Sequence, residues 1–323
     1  MSTLPAAHEL RGGRRVRDWL GDRILLGLTL AAALAAVAAM VAIAWKIAQG
    51  ARLSFDKFGV SFIWGTVWDP VNGVFGAGNL IYGTAVTCAI ALVVATPLAI
   101  AIGLYLSELA PRGVRGVIGT LVEMLAAIPS VVLGLWGLLV VAPFLGQHVE
   151  PWLHRNLGFI PIFGGSPQPG GSGILTAGLI LAIMVVPIIA SISRELFLSV
   201  PHELEESALA LGATRWEMVR GVVLSSSRPG IAAAVILGLG RALGEAIAVT
   251  QVIGNGVGIH ASLFETGNTL ASQIAAQFQG AVSNVQTSAL FYLAAILLVI
   301  GLLTNLLAQM IVRRFEFEHM GAV

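Results

Sequence analysis

The chain has 323 residues, 57% of them hydrophobic and only 11% charged, with a mean hydropathy of +0.88. So apolar a composition excludes a soluble two-domain protein of this length and assigns most of the residues to membrane spans. A formal net charge of +1 gives no reason to expect nucleic acid as a partner, and the single cysteine, Cys88, excludes an intrachain disulfide.

In chain order, residues 1–23 read as a polar, Arg-rich tail without the features of a cleaved signal peptide, so the first apolar run is expected to remain as a helix. Six runs are long enough to cross about 30 Å of hydrocarbon: Ile24–Ala44, Leu80–Leu106, Val117–Leu145, Gly173–Ile192, Gly230–Gly254 and Ala289–Val312. The organisation expected is a tail (1–23), a first span (24–47), a loop (48–79), a five-helix core (80–312) that includes a polar hairpin (201–227), and a second tail (313–323). Lys and Arg are distributed unevenly over the connecting segments. Thirteen of the eighteen, including Arg11, Arg14, Arg15, Arg17, Arg23, Arg112, Arg115, Arg194, Arg215, Arg220, Arg228, Arg313 and Arg314, fall on one side. The positive-inside rule puts that side, with both termini and the hairpin, in the cytoplasm.

On the opposite side, Gln49–Asn79 with Trp64, Trp68 and Asp69 reads as an interfacial belt or anchoring loop. Gly146–Ser172 carries Pro151, Pro161, Pro167 and Pro169 and is expected to be irregular, and Asn255–Gln286 has room for one short helix. No fixed-period repeat and no metal-ligand spacing of histidines is present, and Ser130 and Ser191 have no recognisable catalytic partners.

Two stretches carry chemistry. In the cytoplasmic segment, Glu206-Ser207-Ala208, Gly212 and Arg215 lie in a helix–glycine turn–helix pattern. Ala208 would let a partner approach, Gly212 would supply a backbone angle other residues resist, and Glu206 would present charge. An ordinary surface hairpin is the plainer alternative. Further on, Ser227 and Pro229 read as the cap and first-turn proline of the fifth span, which carries Arg241 and Glu245 near its middle. Four residues apart, the pair shares one helix face. Full charges at such depth cost roughly 2.5–3.5 kcal/mol each and commonly mark a transport pathway, with a helix-gluing ion pair as the alternative. Glu123, followed by Pro129 and Ser130, reads as a third membrane-embedded acid at a kinked helix, either in the pathway or bonded to a neighbouring helix.

Trp68-Asp69-Pro70, Tyr82-Gly83-Thr84, Leu104–Pro111, Glu123 with Ala127–Val132 and Gly134–Gly137, Ala208–Trp216 and Gly238–Glu245 together resemble the PstC-type permeases of bacterial phosphate ABC importers, from about Ser54 to the last span. The hairpin resembles the Glu-Ala-Ala (EAA) signature of ABC permeases, with Ser207 for the second Ala and Ser225 for the usual Pro. The resemblance implies an all-α, polytopic protein of the type I ABC importer permease kind, with six transmembrane helices in a bacterial inner membrane. It implies a second related permease (PstA-like), an ATPase dimer (PstB-like) that uses ATP and Mg, an external phosphate-binding protein (PstS-like) and surrounding lipid. The chain has no Gly-x-x-x-x-Gly-Lys-Ser/Thr motif and is expected to be a transport subunit rather than an enzyme, binding no cofactor or metal itself. Arg241 would bind the oxyanion and Glu245 would accept the phosphate hydroxyl, with Glu123 and Ser130 along the pathway. Another oxyanion (sulfate or molybdate) and a stand-alone proton-coupled carrier are the alternative functions.

Overall fold

The computed structural model of the protein describes residues 10–320. Residues 1–9 and 321–323, the outer parts of the two expected tails, lie outside the described residues. So do the side chains of Arg11, Arg14, Arg15, Arg17, Arg112, Arg313 and Arg314, on which much of the charge asymmetry rests.

The chain divides into two units, residues 1–50 and 51–323. The first is occupied by helix α1 (Leu10–Phe58) up to Gly50. Its apolar side chains, among them Ile24, Leu34, Met40 and Trp45, are exposed on every side, a pattern that suits lipid rather than a packed interior.

In the second unit α1 continues to Phe58, where an interfacial loop was expected. It is followed by the short helix α2 (Ser61–Trp64) and a two-stranded ladder, β1 (Trp68–Asp69) and β2 (Val74–Phe75), with Trp68 opposite Phe75. Then come α3 (Gly78–Leu109), α4 (Arg112–Ala126), α5 (Ser130–Leu157), α6 (Ile174–Leu198), α7 (His202–Ala210), α8 (Arg215–Leu243), α9 (Ile247–Val252), α10 (Leu270–Gln277) and α11 (Asn284–Met320). Among the described residues, six helices are long and apolar enough to cross a membrane: α1, α3, α5, α6, α8 and α11.

Helix α6 is the centre of the packing, its side chains buried along almost the whole length. Small residues let its neighbours approach, as expected in lipid, where backbone proximity replaces the hydrophobic drive. Helix α3 presents Cys88, Ala91, Ala95, Ala99 and Gly103 to it, and a Cβ on Gly103 would meet Ser193 and Arg194 at 3.2 Å. On the α8 side, a Cβ on Gly238 would lie 2.7 Å from Val185 Cγ1, and one on Gly230 2.5 Å from Leu196 Cδ2. These registers run α3 parallel and α8 antiparallel to α6. The hairpin therefore sits at one end of the bundle, and β1–β2 with α10 at the other.

Two expected spans are corrected. The run Val117–Leu145 is not one helix: α4 ends at Ala126 and α5 starts at Ser130, because the residue before a proline is pushed out of helical geometry and Pro129 itself is extended (ψ 137°). Helix α4, with Arg115 and Glu123 among its apolar residues, is amphipathic rather than a span. The fifth span is displaced as well. Helix α8 begins at Arg215, runs through a π-type turn at Val219–Val223 and carries Ser227 and Pro229 in its interior, where neither caps it. It ends at Leu243 rather than Gly254, and α9 resumes at Ile247. Gly238, Gly240 and Gly244 weaken helix continuation there.

Candidate functional site

The hairpin follows from local chemistry. Helix α7 closes with Gly212 in the left-handed region (φ +89°): Gly212 N–H donates to Leu209 O (3.0 Å) and Ala213 N–H to Ala208 O (3.2 Å). These two bonds satisfy carbonyls at the helix end. Thr214 then opens α8 with a capping box, its Oγ1 accepting from Glu217 N–H (3.3 Å) while Glu217 Oε2 accepts from Thr214 N–H (2.8 Å). Four residues, Leu211–Thr214, therefore turn the chain, with both helix ends capped. Ala208 and Met218 face inward onto Phe197, Val200 and Val223. Glu206, Ser207, Gly212 and Arg215 face out, although the Ser207 hydroxyl donates back to Glu203 O (2.6 Å). Exposed apolar side chains accompany them: Leu204, Leu209, Trp216 and Leu211, the last 90% exposed. Leu211 and Trp216 form part of an exposed apolar surface of the kind common at protein interfaces, and the polar pattern by itself did not single out Trp216.

At the other end of α8, Arg241 Nη1 lies 3.1 Å from Glu245 Oε2. The pair terminates the helix rather than sitting mid-span, and the two side chains differ in setting: Glu245 is 4% exposed and Arg241 45%. Glu245 Oε1 also accepts from Ala248 N–H in the first turn of α9 (3.2 Å). The carboxylate thus joins two half-helices, and each oxygen already has a donor. The guanidinium, held from behind, presents its remaining N–H groups on the exposed stripe of α8 formed by Leu237, Gly240, Arg241 and Gly244. A Cβ on Gly240 would meet nothing within 4 Å.

Helix α5 lies beside α9, with Gly134 against Ala248 and Gln251 and Gly137 against Val252. The two run in parallel, and this register brings Ser130, the first residue of α5, level with Glu245. Two helix breaks, at Ala127–Pro129 and Gly244–Ala246, therefore lie side by side, the arrangement in which unwound backbone and helix ends serve ions in membrane transporters. Gln251 Oε1 is buried there with no hydrogen-bond partner among the described residues. A polar residue within the apolar run Ile247–Ile253 was the signal that would have pointed to it.

Glu123 does not join this group. It lies on α4 and is 64% exposed, and its partner is Arg194 of α6 at 3.9 Å. The pair lines a small pocket with Gly119, Val122 and Ser191. So exposed a pair contributes about 0–1 kcal/mol. Glu123→Gln is accordingly expected to change transport by less than about fivefold, as initial uptake rates in vesicles would record.

Residues 95–317 match the family described as the binding-protein-dependent transport system inner membrane component. The chain is 41% identical over 315 residues to the phosphate transport system permease protein PstC of Xylella fastidiosa (strain Temecula1), covering 97% of both chains. It is 43% identical over 317 residues to PstC of Mesorhizobium japonicum, covering 97% of this chain and 96% of the relative. Its fold resembles a chain of a bacterial alginate ABC transporter solved with a pentasaccharide-bound periplasmic protein (TM-score 0.57, 22% identity, 94% of this chain and 99% of the other). The helix-break geometry, the exposed hairpin and these likenesses agree: the chain belongs to the family of binding-protein-dependent transport system inner membrane components, among the PstC permeases.

Proposed function

We propose that the chain is a permease subunit of an ATP-driven importer of inorganic phosphate and forms one half of the translocation pathway. The observation that carries this reading is the half-exposed Arg241, tied to the buried Glu245 at the end of the same helix whose other end is the exposed hairpin. Phosphate at neutral pH is an oxyanion, and a guanidinium fork matches two of its oxygens. Arg241 is the anion contact. Glu245, only 4% exposed behind the guanidinium, is a positioning residue that aims the fork. Recognition of the phosphate hydroxyl then falls to another acceptor. The engaged carboxylate also does not favour a proton-coupled carrier, whose acid must exchange its proton with water.

The open stripe around Arg241 is the wall of a pathway completed by a second, related permease. Both termini and the hairpin are cytoplasmic in a bacterial inner membrane, and the hairpin docks on an ATPase dimer that consumes ATP and Mg. An external phosphate-binding protein delivers the substrate at the opposite end. Helix α8 is the mechanical link: the 27 residues from Arg215 to Arg241 span about 40 Å at helical rise, so tilting the hairpin moves the guanidinium as part of one rod.

Co-expression with the partner permease and ATPase, followed by uptake of radiolabelled phosphate into right-side-out vesicles loaded with ATP and supplied with the external binding protein, tests the reading. Saturable, ATP-dependent phosphate uptake that excess sulfate does not inhibit is expected. Equal transport of sulfate would replace phosphate with a broader oxyanion class. At the coupling end, Leu211→Asp combined with Trp216→Ala leaves every inward contact of the hairpin in place. Because Trp is enriched among interface residues whose truncation costs about 2 kcal/mol or more, and an unpaired carboxylate at position 211 is costly to bury, the ATPase is expected to be lost from the purified complex while the permease pair stays intact. Retained ATPase would contradict the docking assignment.

A further inference from the structure

At the end of the bundle opposite the hairpin, β1, α10 and the loop after α9 enclose a cavity of ≈ 290 Å³ lined by Trp68, Pro70, Asn255, Val257, Gln273 and Gln277 among others. Its polar groups are uncharged, and the hydrogen-bond network fixes which way its amides point. Trp68 Nε1–H can only donate, and it donates to Gln277 Oε1 (2.8 Å), so the Gln277 NH₂ is the free end. Thr269 N–H donates to Asn268 Oδ1 (3.0 Å). The Asn268 NH₂ must then be the group that meets Gln273, which accepts through Oε1. That leaves the Gln273 NH₂ free, on a side chain only 3% exposed. The cavity thus offers oriented donors whose matching acceptors are already used.

The rim is pinned. Gly256 N–H donates to Gly267 O (2.9 Å) and Gly267 N–H to Ile253 O (3.1 Å), while Asn255 sits at φ +53°. Asp69, between Trp68 and Pro70, accepts from Asn72 Nδ2 (2.6 Å) and from the Asn72 and Val71 N–H groups. These bonds, the Asn72 side chain first, hold its carboxyl below the usual carboxylate range. No charged side chain lines the cavity, so an anion would find no counter-charge there and a neutral acceptor is favoured. Trp68, Pro70 and Val257 add apolar wall.

The geometry points to this cavity as the seat for an uncharged main-chain turn of the external binding protein, whose peptide carbonyls accept from Gln273 and Gln277. The assignment rests on the importer reading above and adds the place and chemistry of the contact. Rigid donors and a rigid rim suit such a segment, since little order has to be gained on docking.

The test measures binding of purified, phosphate-loaded external binding protein to the permease–ATPase complex in nanodiscs. Gln277→Glu keeps the acceptor for Trp68 but turns the free donor into a second acceptor, which repels a carbonyl. Asn255→Asp acts at the exposed rim and tolerates the left-handed backbone, so it covers the case in which the first variant fails to assemble. With wild-type yields of assembled complex, about a tenfold rise in Kd is expected for Q277E and about threefold for N255D. If the wild-type complex binds and both variants bind within twofold of it, the cavity is not the seat and the importer reading stands. If the wild-type complex does not bind at all, the importer reading itself fails. Direct binding of inorganic phosphate without the binding protein, abolished by Q277E, would overturn the proposal in favour of an oxyanion site.

Discussion

The double variant Arg241→Gln with Glu245→Gln is expected to assemble at near wild-type yield and to import phosphate at least about a hundredfold more slowly. Each charge-assisted hydrogen bond from the guanidinium to the anion is worth ~1.5–3 kcal/mol, and a bidentate fork forms two, so the loss exceeds the 1.4 kcal/mol of a tenfold change. The second substitution separates function from folding. Arg241→Gln alone leaves the Glu245 carboxylate buried without its cation, and breaking a fully buried pair in that way costs about 3–5 kcal/mol, less here because nearly half of Arg241 is exposed. The single variant should therefore lose both yield and transport. The double variant removes the stranded charge, keeps an oxygen that can accept from Ala248 N–H, and should recover yield alone. Quantifying assembled complex by size-exclusion chromatography alongside vesicle uptake makes the distinction.

Gly240→Trp is expected to abolish uptake with little effect on the fold of the subunit. A side chain at Gly240 meets open space, whereas one at Gly238, two residues earlier, runs into Val185 and Ile189. Gly238→Ala is the matched control: overpacking of this kind costs typically about 1–3 kcal/mol, so it should lower yield or thermal stability of the complex, with the molecules that do assemble still transporting. The opposite pattern, a G240W complex that transports normally, would mean that the Gly240–Arg241–Gly244 stripe does not face the pathway.

The number of spans was legible in the sequence because each contains a long apolar run, a signal that burial in protein and exposure to lipid both leave intact. The hairpin was legible for a different reason: Gly212, Thr214 and Glu217 act on neighbours within five residues, so their chemistry is written locally. The helix breaks were not. Ala127 and Ile128 are as apolar as any spanning residue, and Pro129 reads equally well as a kink or a stop. Ser227 and Pro229 looked like the start of a helix because a capping hydroxyl and a proline stood together, yet α8 passes through them from Arg215 with a π-type turn just before. Nor does sequence spacing measure depth: Arg241 and Glu245 share a face in the simple helical picture, but the end of α8 between them leaves one side chain exposed and the other enclosed. Glu123 resembled them as a charge among apolar residues and differs because α4 is amphipathic and ends before the membrane-length helix begins. Its partner Arg194 comes from a helix about seventy residues away, a tertiary contact no local pattern announces.

Movement of the hairpin is proposed to reach phosphate through Arg241, and the ratio of phosphate imported to ATP hydrolysed by the full complex in proteoliposomes reads that link. With phosphate-loaded binding protein outside, the wild-type complex should give a fixed ratio. The R241Q/E245Q complex, hairpin and ATPase intact, should hydrolyse ATP while importing almost no phosphate. An unchanged ratio in that variant would contradict the claim.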